Sequence, residues 1–187
     1  MRLNKQQYKI GRVEKKNDLK KENFKSKKMK YFHWTIVVLY MAMIFYFSSQ
    51  DGTESHEVSS RLLEYLKFLA LYVPEGLLDF FSGVGKNHEY ILRKCAHFTE
   101  YLILSLIVYK AMRASEISFK KSILLTFIIC FVYAVSDEVH QYFVPGRAFA
   151  VTDIMIDTAG AILGLMTVVL FNFAKEKRTG IKNLQKR

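Results

Sequence analysis

Three short segments set polar and charged side chains into otherwise apolar sequence: RKCAHFTEY at 93–101, SDEVHQYFVPGR at 136–147 and DIMIDTAGAILG at 153–164. Of these residues, His97, Glu100, Asp137, Glu138 and Asp153 are types that exchange protons as general acids and bases, or offer nitrogen and oxygen donors to a metal. Lys94, Tyr101, Gln141, Arg147 and Asp157 are better suited to holding a ligand, since an arginine fork matches phosphate or carboxylate geometry. The acids stand in separate segments and no HExxH spacing occurs, so the sequence identifies neither a metal nor a cofactor. Serine chemistry has still less support. Ser136 adjoins Asp137, but nothing supplies a histidine partner or an oxyanion hole.

Spacing groups these residues on helix faces. Arg93, His97, Glu100 and Tyr101 fall at i, i+4, i+7 and i+8, a single stripe with Lys94 beside it. Asp137 and Gln141 are four apart. Asp153, Asp157, Gly160 and Gly164 form another stripe, whose GxxxG half lets a neighbouring helix approach closely. Plainer roles exist for several: Lys94 can snorkel to headgroups, Asp153 can be a first-turn acid, and His97 can be a hydrogen-bonded packing residue, although Glu100 at i+3 favours a titrating or polarised His97–Glu100 pair. Asp137 and Glu138 are harder to explain that way. An acid at a helix C-terminus opposes the macrodipole, so they call for a cationic partner such as Arg147, Arg93 or Lys94.

The elements that must carry these stripes are membrane spans. Residues 31–47, YFHWTIVVLYMAMIFYF, are just long enough to cross a bilayer, and read as an uncleaved anchor. Further apolar runs cover 91–112, 122–136 and 154–173. The fold class is therefore all-α membrane protein, a four-transmembrane-helix bundle, with interfacial helices in 48–90 between the first and second spans. A basic cytoplasmic tail at 1–30, expected to be disordered, precedes the transmembrane domain at 31–173, and a second basic tail covers 174–187. Cys95 and Cys130 lie in apolar runs and read as small buried hydrophobes.

Charge distribution sets the orientation. The net charge is +11, and twelve Lys or Arg precede residue 31 while six follow residue 174. With both termini cytoplasmic, Lys110, Arg113, Lys120 and Lys121 join them inside, against Arg61, Lys67, Lys86, Arg93, Lys94 and Arg147 outside. Lysines that flank apolar spans argue against nucleic-acid binding. This topology places all the polar segments on the extracytoplasmic side, together with Ser48, Ser49 and Gln50 after the first span. At about 1.5 Å per residue, Glu100 lies about 20 Å from the inner end at Arg113, and Asp137 about 24 Å from Lys121, both short of the ~30 Å core. Charges at that depth cost about 2.5–3.5 kcal/mol unless they meet each other or water, so convergence on one cup is expected.

These segments, in this order and topology, resemble the VanZ-like family of small bacterial membrane proteins over about residues 32–172. The family pattern falls on Lys94, His97, Phe98 and Tyr101, on Ser136, Asp137, Glu138 and Gln141, and on Gly146, Arg147, Asp153, Gly160 and Gly164. Asp157 departs from it, standing where the pattern implies Asn. The resemblance implies a multi-pass protein of the bacterial cytoplasmic membrane and an association with teicoplanin resistance. Membrane lipids or lipid-linked cell-wall intermediates are the expected partners. Three functions remain open: binding or modulating such a component or a lipoglycopeptide, acid/base or metal-dependent catalysis on a lipid-linked substrate, and proton-coupled transport. Transport is the weakest, because four crossings without internal repeats give no second access route.

Overall fold

In the computed structural model, residues 2–50 and 88–184 are described, with side chains at 24, 26–50 and 91–178. The interfacial helices expected in 48–90 lie almost wholly outside the described residues. Among those residues all regular structure is helical: α1 (Arg2–Ser48), α2 (His88–Ala114), α3 (Phe119–Gln141) and α4 (Val151–Leu184). Helix α1 runs back through the basic segment that sequence alone leaves without structure.

Three stretches are long and apolar enough to cross a membrane: Ser26–Ser48 of α1, Phe119–Gln141 and Val151–Arg178 of α4. The exception is α2, which carries Arg93, Lys94, Glu100, Lys110 and Arg113. It is also the helix the other three pack around, with α4 laid most extensively against it. Its apolar side chains therefore form much of the core. Tyr101, Leu104, Val108 and Ala111 of α2 meet Val37 and Ile44 of α1, Cys130 and Ala134 of α3, and Ala161 of α4. Leu124, Val132, Leu170 and Phe171 point outward, as suits helices whose solvent is lipid.

The α2–α4 contact depends on glycine. A Cβ at Gly160 would lie 2.1 Å from the Phe98 carbonyl oxygen, and one at Gly164 would lie 2.1 Å from Ser105 Oγ and 2.7 Å from the Leu102 carbonyl oxygen. The two backbones touch, as the GxxxG stripe predicts.

Two connections fix the ends. Between α2 and α3, Glu116 takes a left-handed φ of 61°, and Ile117 N–H returns to the Met112 carbonyl at 3.3 Å, closing a tight helix hairpin. At the same end Trp34 Nε1 donates to Ser115 Oγ at 3.0 Å, holding α1 to that hairpin. Between α3 and α4, Pro145 cannot supply a helical N–H, and Gly146 at φ 75° allows a turn in which Arg147 N–H donates to the Val144 carbonyl at 3.1 Å.

Cysteine placement differs from expectation. Cys130 is buried, whereas Cys95 is exposed, because it sits two residues, about 200° of helix, from the inward His97.

Gly160→Ala is expected to lower the melting temperature in micelles, with a packing cost of about 1–3 kcal/mol or more that exceeds the ~1 kcal/mol Ala gains over Gly in a helix. Gly164→Ala should cost less, because its nearest obstacle is a hydroxyl that can rotate away and its backbone obstacle, the Leu102 carbonyl oxygen at 2.7 Å, is less close than the Phe98 carbonyl oxygen is to Gly160. Equal or greater stability of the Gly160 variant would contradict the contact.

Candidate functional site

The polar segments meet at the end of the bundle opposite Trp34 and Ser115, where α1 and α3 finish and α2 and α4 begin. Ser48, His97, Asp137, Glu138, Gln141, Asp153 and Asp157 are all buried there.

Two layers can be distinguished. In the outer layer Lys94 Nζ forms a close ion pair with Asp153 Oδ1, with 16% and 11% side-chain exposure. Thr152 Oγ1 donates to the same oxygen at 3.3 Å. Arg147 Nη1 donates to Gln141 Oε1 at 3.2 Å, and Gln141 Nε2 donates to Asp137 Oδ2 at 3.0 Å. Gln141 thus links the loop arginine to an α3 acid. Burial holds the Arg147 guanidinium below its ordinary pKa, and the nearby Arg93 guanidinium adds to the effect. The Nε–H of Arg93 and of Arg147 are both buried without a hydrogen-bond acceptor among the described residues.

In the inner layer His97 Nδ1 lies 3.6 Å from Asp157 Oδ1. One ligand-capable atom each of His97, Asp137 and Asp157 lies within 4.8 Å of the others. Tyr101, fully buried, lies within electrostatic reach of Asp137 and Asp157, with its ring centroid 6.2 Å from that of Tyr133. Glu100 is turned toward the α1–α3 side, near Tyr40 and Tyr133, though still within electrostatic reach of Asp137 and Arg147.

The acids at the α3 C-terminus have expected cations within electrostatic reach, Arg147 for Asp137 and Lys94 for Glu138, but their hydrogen bonds go elsewhere. Neither Asp137 nor Glu138 forms an ion pair with Arg147 among the described residues. Glu138 Oε2 instead accepts the Ala150 N–H at 2.9 Å, and Ala150 in turn accepts the first-turn N–H of Asp153 at 2.9 Å. Glu138 therefore caps α4 from α3. Its charge opposes the dipole of its own helix but meets the positive end of the next.

Other pairings differ from the expected ones as well. His97 faces Asp157 across the α2–α4 contact, not Glu100 one turn along its own helix. Ser48 reaches the site and lies beside Asp137. Ser49 Oγ does both things a post-helical serine can do: it donates to the Phe45 carbonyl at 2.6 Å and meets His140 Nε2 at 3.0 Å. His140, whose ring stacks on Phe45 at 4.3 Å, and the Ala150 N–H are the participants that sequence reasoning missed. Being one residue from Gln141 could have flagged His140; nothing in the sequence could have flagged a backbone amide.

A bundle of membrane-spanning helices that gathers Lys94, His97, Asp137, Glu138, Gln141, Arg147 and Asp153 at one end belongs to a class of integral membrane proteins with a buried polar site. More particularly, the VanZ/LLP1 family model matches residues 32–172, and the chain belongs to that family. Comparison with curated proteins and with solved structures gives no match.

Replacing Lys94 by Met or Asp153 by Asn is expected to destabilise the protein by about 1–3 kcal/mol, since each removes one member of a partly buried ion pair. The double variant should lose less than the sum, with a coupling of about 0.5–3 kcal/mol in a denaturation cycle. Strict additivity would mean that the pair does not form.

Proposed function

We propose that this VanZ-family protein binds the anionic headgroup of a lipid-linked envelope component, with a lipoglycopeptide as a related ligand, at an outward-facing site. The observation that carries this reading is the guanidinium pair. Two like-charged groups within electrostatic reach of each other, each with a buried N–H that lacks an acceptor among the described residues, favour an anion between them, and phosphate or carboxylate matches their geometry. A site recessed at leaflet depth suits a ligand that keeps its tail in the bilayer. Lys94, fixed by Asp153, adds a third positive charge at the rim.

The reading includes four crossings, with α2 as the fourth and both termini cytoplasmic. At 27 residues α2 is about 40 Å long, enough for the ~30 Å core, and three surrounding helices shelter its polar stripe from lipid. The Lys and Arg bias supports the orientation. Reporter fusions at residue 187 and before residue 31 should both report the cytoplasm. Three crossings would instead place them on opposite sides.

Binding is tested in nanodiscs with undecaprenyl phosphate as the probe. Arg93→Ala and Arg147→Ala should each weaken binding about tenfold or more, and more steeply at low salt. Unchanged affinity in both variants would refute the headgroup reading.

A second reading, an intramembrane enzyme acting on a lipid-linked substrate, is favoured by the inner layer. A histidine and two acids in a buried cluster are the equipment of proton transfer. Turnover of undecaprenyl-linked substrates, abolished by His97→Gln, would establish it. Binding without turnover would leave the first reading alone.

A further inference from the structure

We propose that His97, Asp137 and Asp157 together form a site for one divalent transition-metal ion, of which Zn²⁺ and Mn²⁺ are the best-fitting examples. Three helices contribute one donor residue each: α2 the imidazole, α3 and α4 the carboxylates. Their ligand atoms lie within 4.8 Å of one another, and the residues are 8%, 2% and 0% exposed.

The decisive feature is what these atoms lack. Among the described residues, His97 Nδ1, Asp137 Oδ1 and both Asp157 oxygens are buried without a hydrogen-bond partner of normal geometry. A buried carboxylate with no hydrogen bond to either oxygen is unfavourable as a charge, and it must be protonated, paired with a cation or bound to a metal. The 3.6 Å between His97 Nδ1 and Asp157 Oδ1 is too long for a good hydrogen bond. It is close to the ~3.4 Å that separates two donors held about 2.1 Å from one tetrahedral ion.

The surroundings also match a metal centre. Gln141 holds the other oxygen of Asp137 at 3.0 Å, orienting that carboxylate, and is itself held by Arg147. One nitrogen and two carboxylate oxygens form a mixed donor set of borderline character, closer to Zn²⁺, Mn²⁺ or Fe²⁺ than to the all-oxygen cages of Ca²⁺. Three protein ligands leave a coordination position for an outside oxygen. Assigning that position to a headgroup phosphate rests on the headgroup reading above; the metal site itself does not.

The test uses full-length protein in nanodiscs, stripped with chelator and titrated with Zn²⁺ or Mn²⁺ in the absence of lipid phosphate. Elemental analysis should give one ion per chain, retained through desalting and accompanied by a rise in melting temperature. Co²⁺ loading should produce a visible d–d absorption. Asp157→Asn, close in shape, and His97→Gln should each weaken uptake at least tenfold, while Cys95→Ser leaves it unchanged. Should Asp157→Asn fail to fold, Asp137→Asn, which keeps an oxygen for Gln141, serves in its place. Sub-stoichiometric metal in the wild type, or equal uptake by wild type and the ligand variants, would overturn the proposal. The outcomes separate from those of the headgroup assay, since metal uptake is read without lipid and lipid binding is read through Arg93 and Arg147.

Discussion

The close approach of α4 to α2 through Gly160 and Gly164 is the contact on which the rest of the molecule depends. A methyl group at Gly160 would fall 2.1 Å from the Phe98 carbonyl oxygen, so the helices meet backbone to backbone. Between apolar helices in lipid there is little hydrophobic drive to associate, and van der Waals contact at this range supplies the attraction instead. One turn further toward the helix starts, the same stripe carries Asp157 and then Asp153. Seating the glycines against α2 therefore brings Asp157 to His97 and Asp153 to Lys94, placing the α2 and α4 parts of the site in one step.

The remaining parts are placed by the way α3 ends. Pro145 and Gly146 turn the chain so that Arg147 reaches back to Gln141, while Glu138 caps the start of α4 through the Ala150 amide. Two helix ends of opposite polarity thereby share one carboxylate. For Glu138 the expense of placing an acid at a helix C-terminus is offset by the start of the next helix, while Arg147 stays within electrostatic reach of Asp137 and Glu138.

Much of this was legible in the sequence because helical period and burial act within a single segment. Arg93, His97 and Tyr101 had to share a face whatever packed against it, and a GxxxG stripe had to meet a close neighbour. The turn at Pro145 and Gly146 was equally readable. Pairing across helices was not, because it depends on the relative register of two segments that the period of either leaves undetermined. So helical spacing matches His97 to Glu100, its nearest acid along the helix, whereas the acid opposite it is Asp157. Charge sets Arg147 against the α3 acids, and it does lie within electrostatic reach of both, but charge cannot reveal that the Gln141 amide stands between it and Asp137. The apolar run around Cys95 suggests a core residue, although in lipid an apolar residue faces outward as readily as inward, and Cys95 is exposed.

The most direct test of this account is the register of α2 against α4 in the native membrane. In a Cys95→Ser, Cys130→Ala background, His97→Cys combined with Asp157→Cys should be joined efficiently by a short bifunctional thiol reagent. Thr99→Cys, on the exposed face of α2, combined with the same Asp157→Cys should not. Cross-linking confined to the first pair is the predicted result. Equal cross-linking of both pairs, or of neither under conditions where each cysteine is singly labelled, would contradict the close α2–α4 contact and the site built on it.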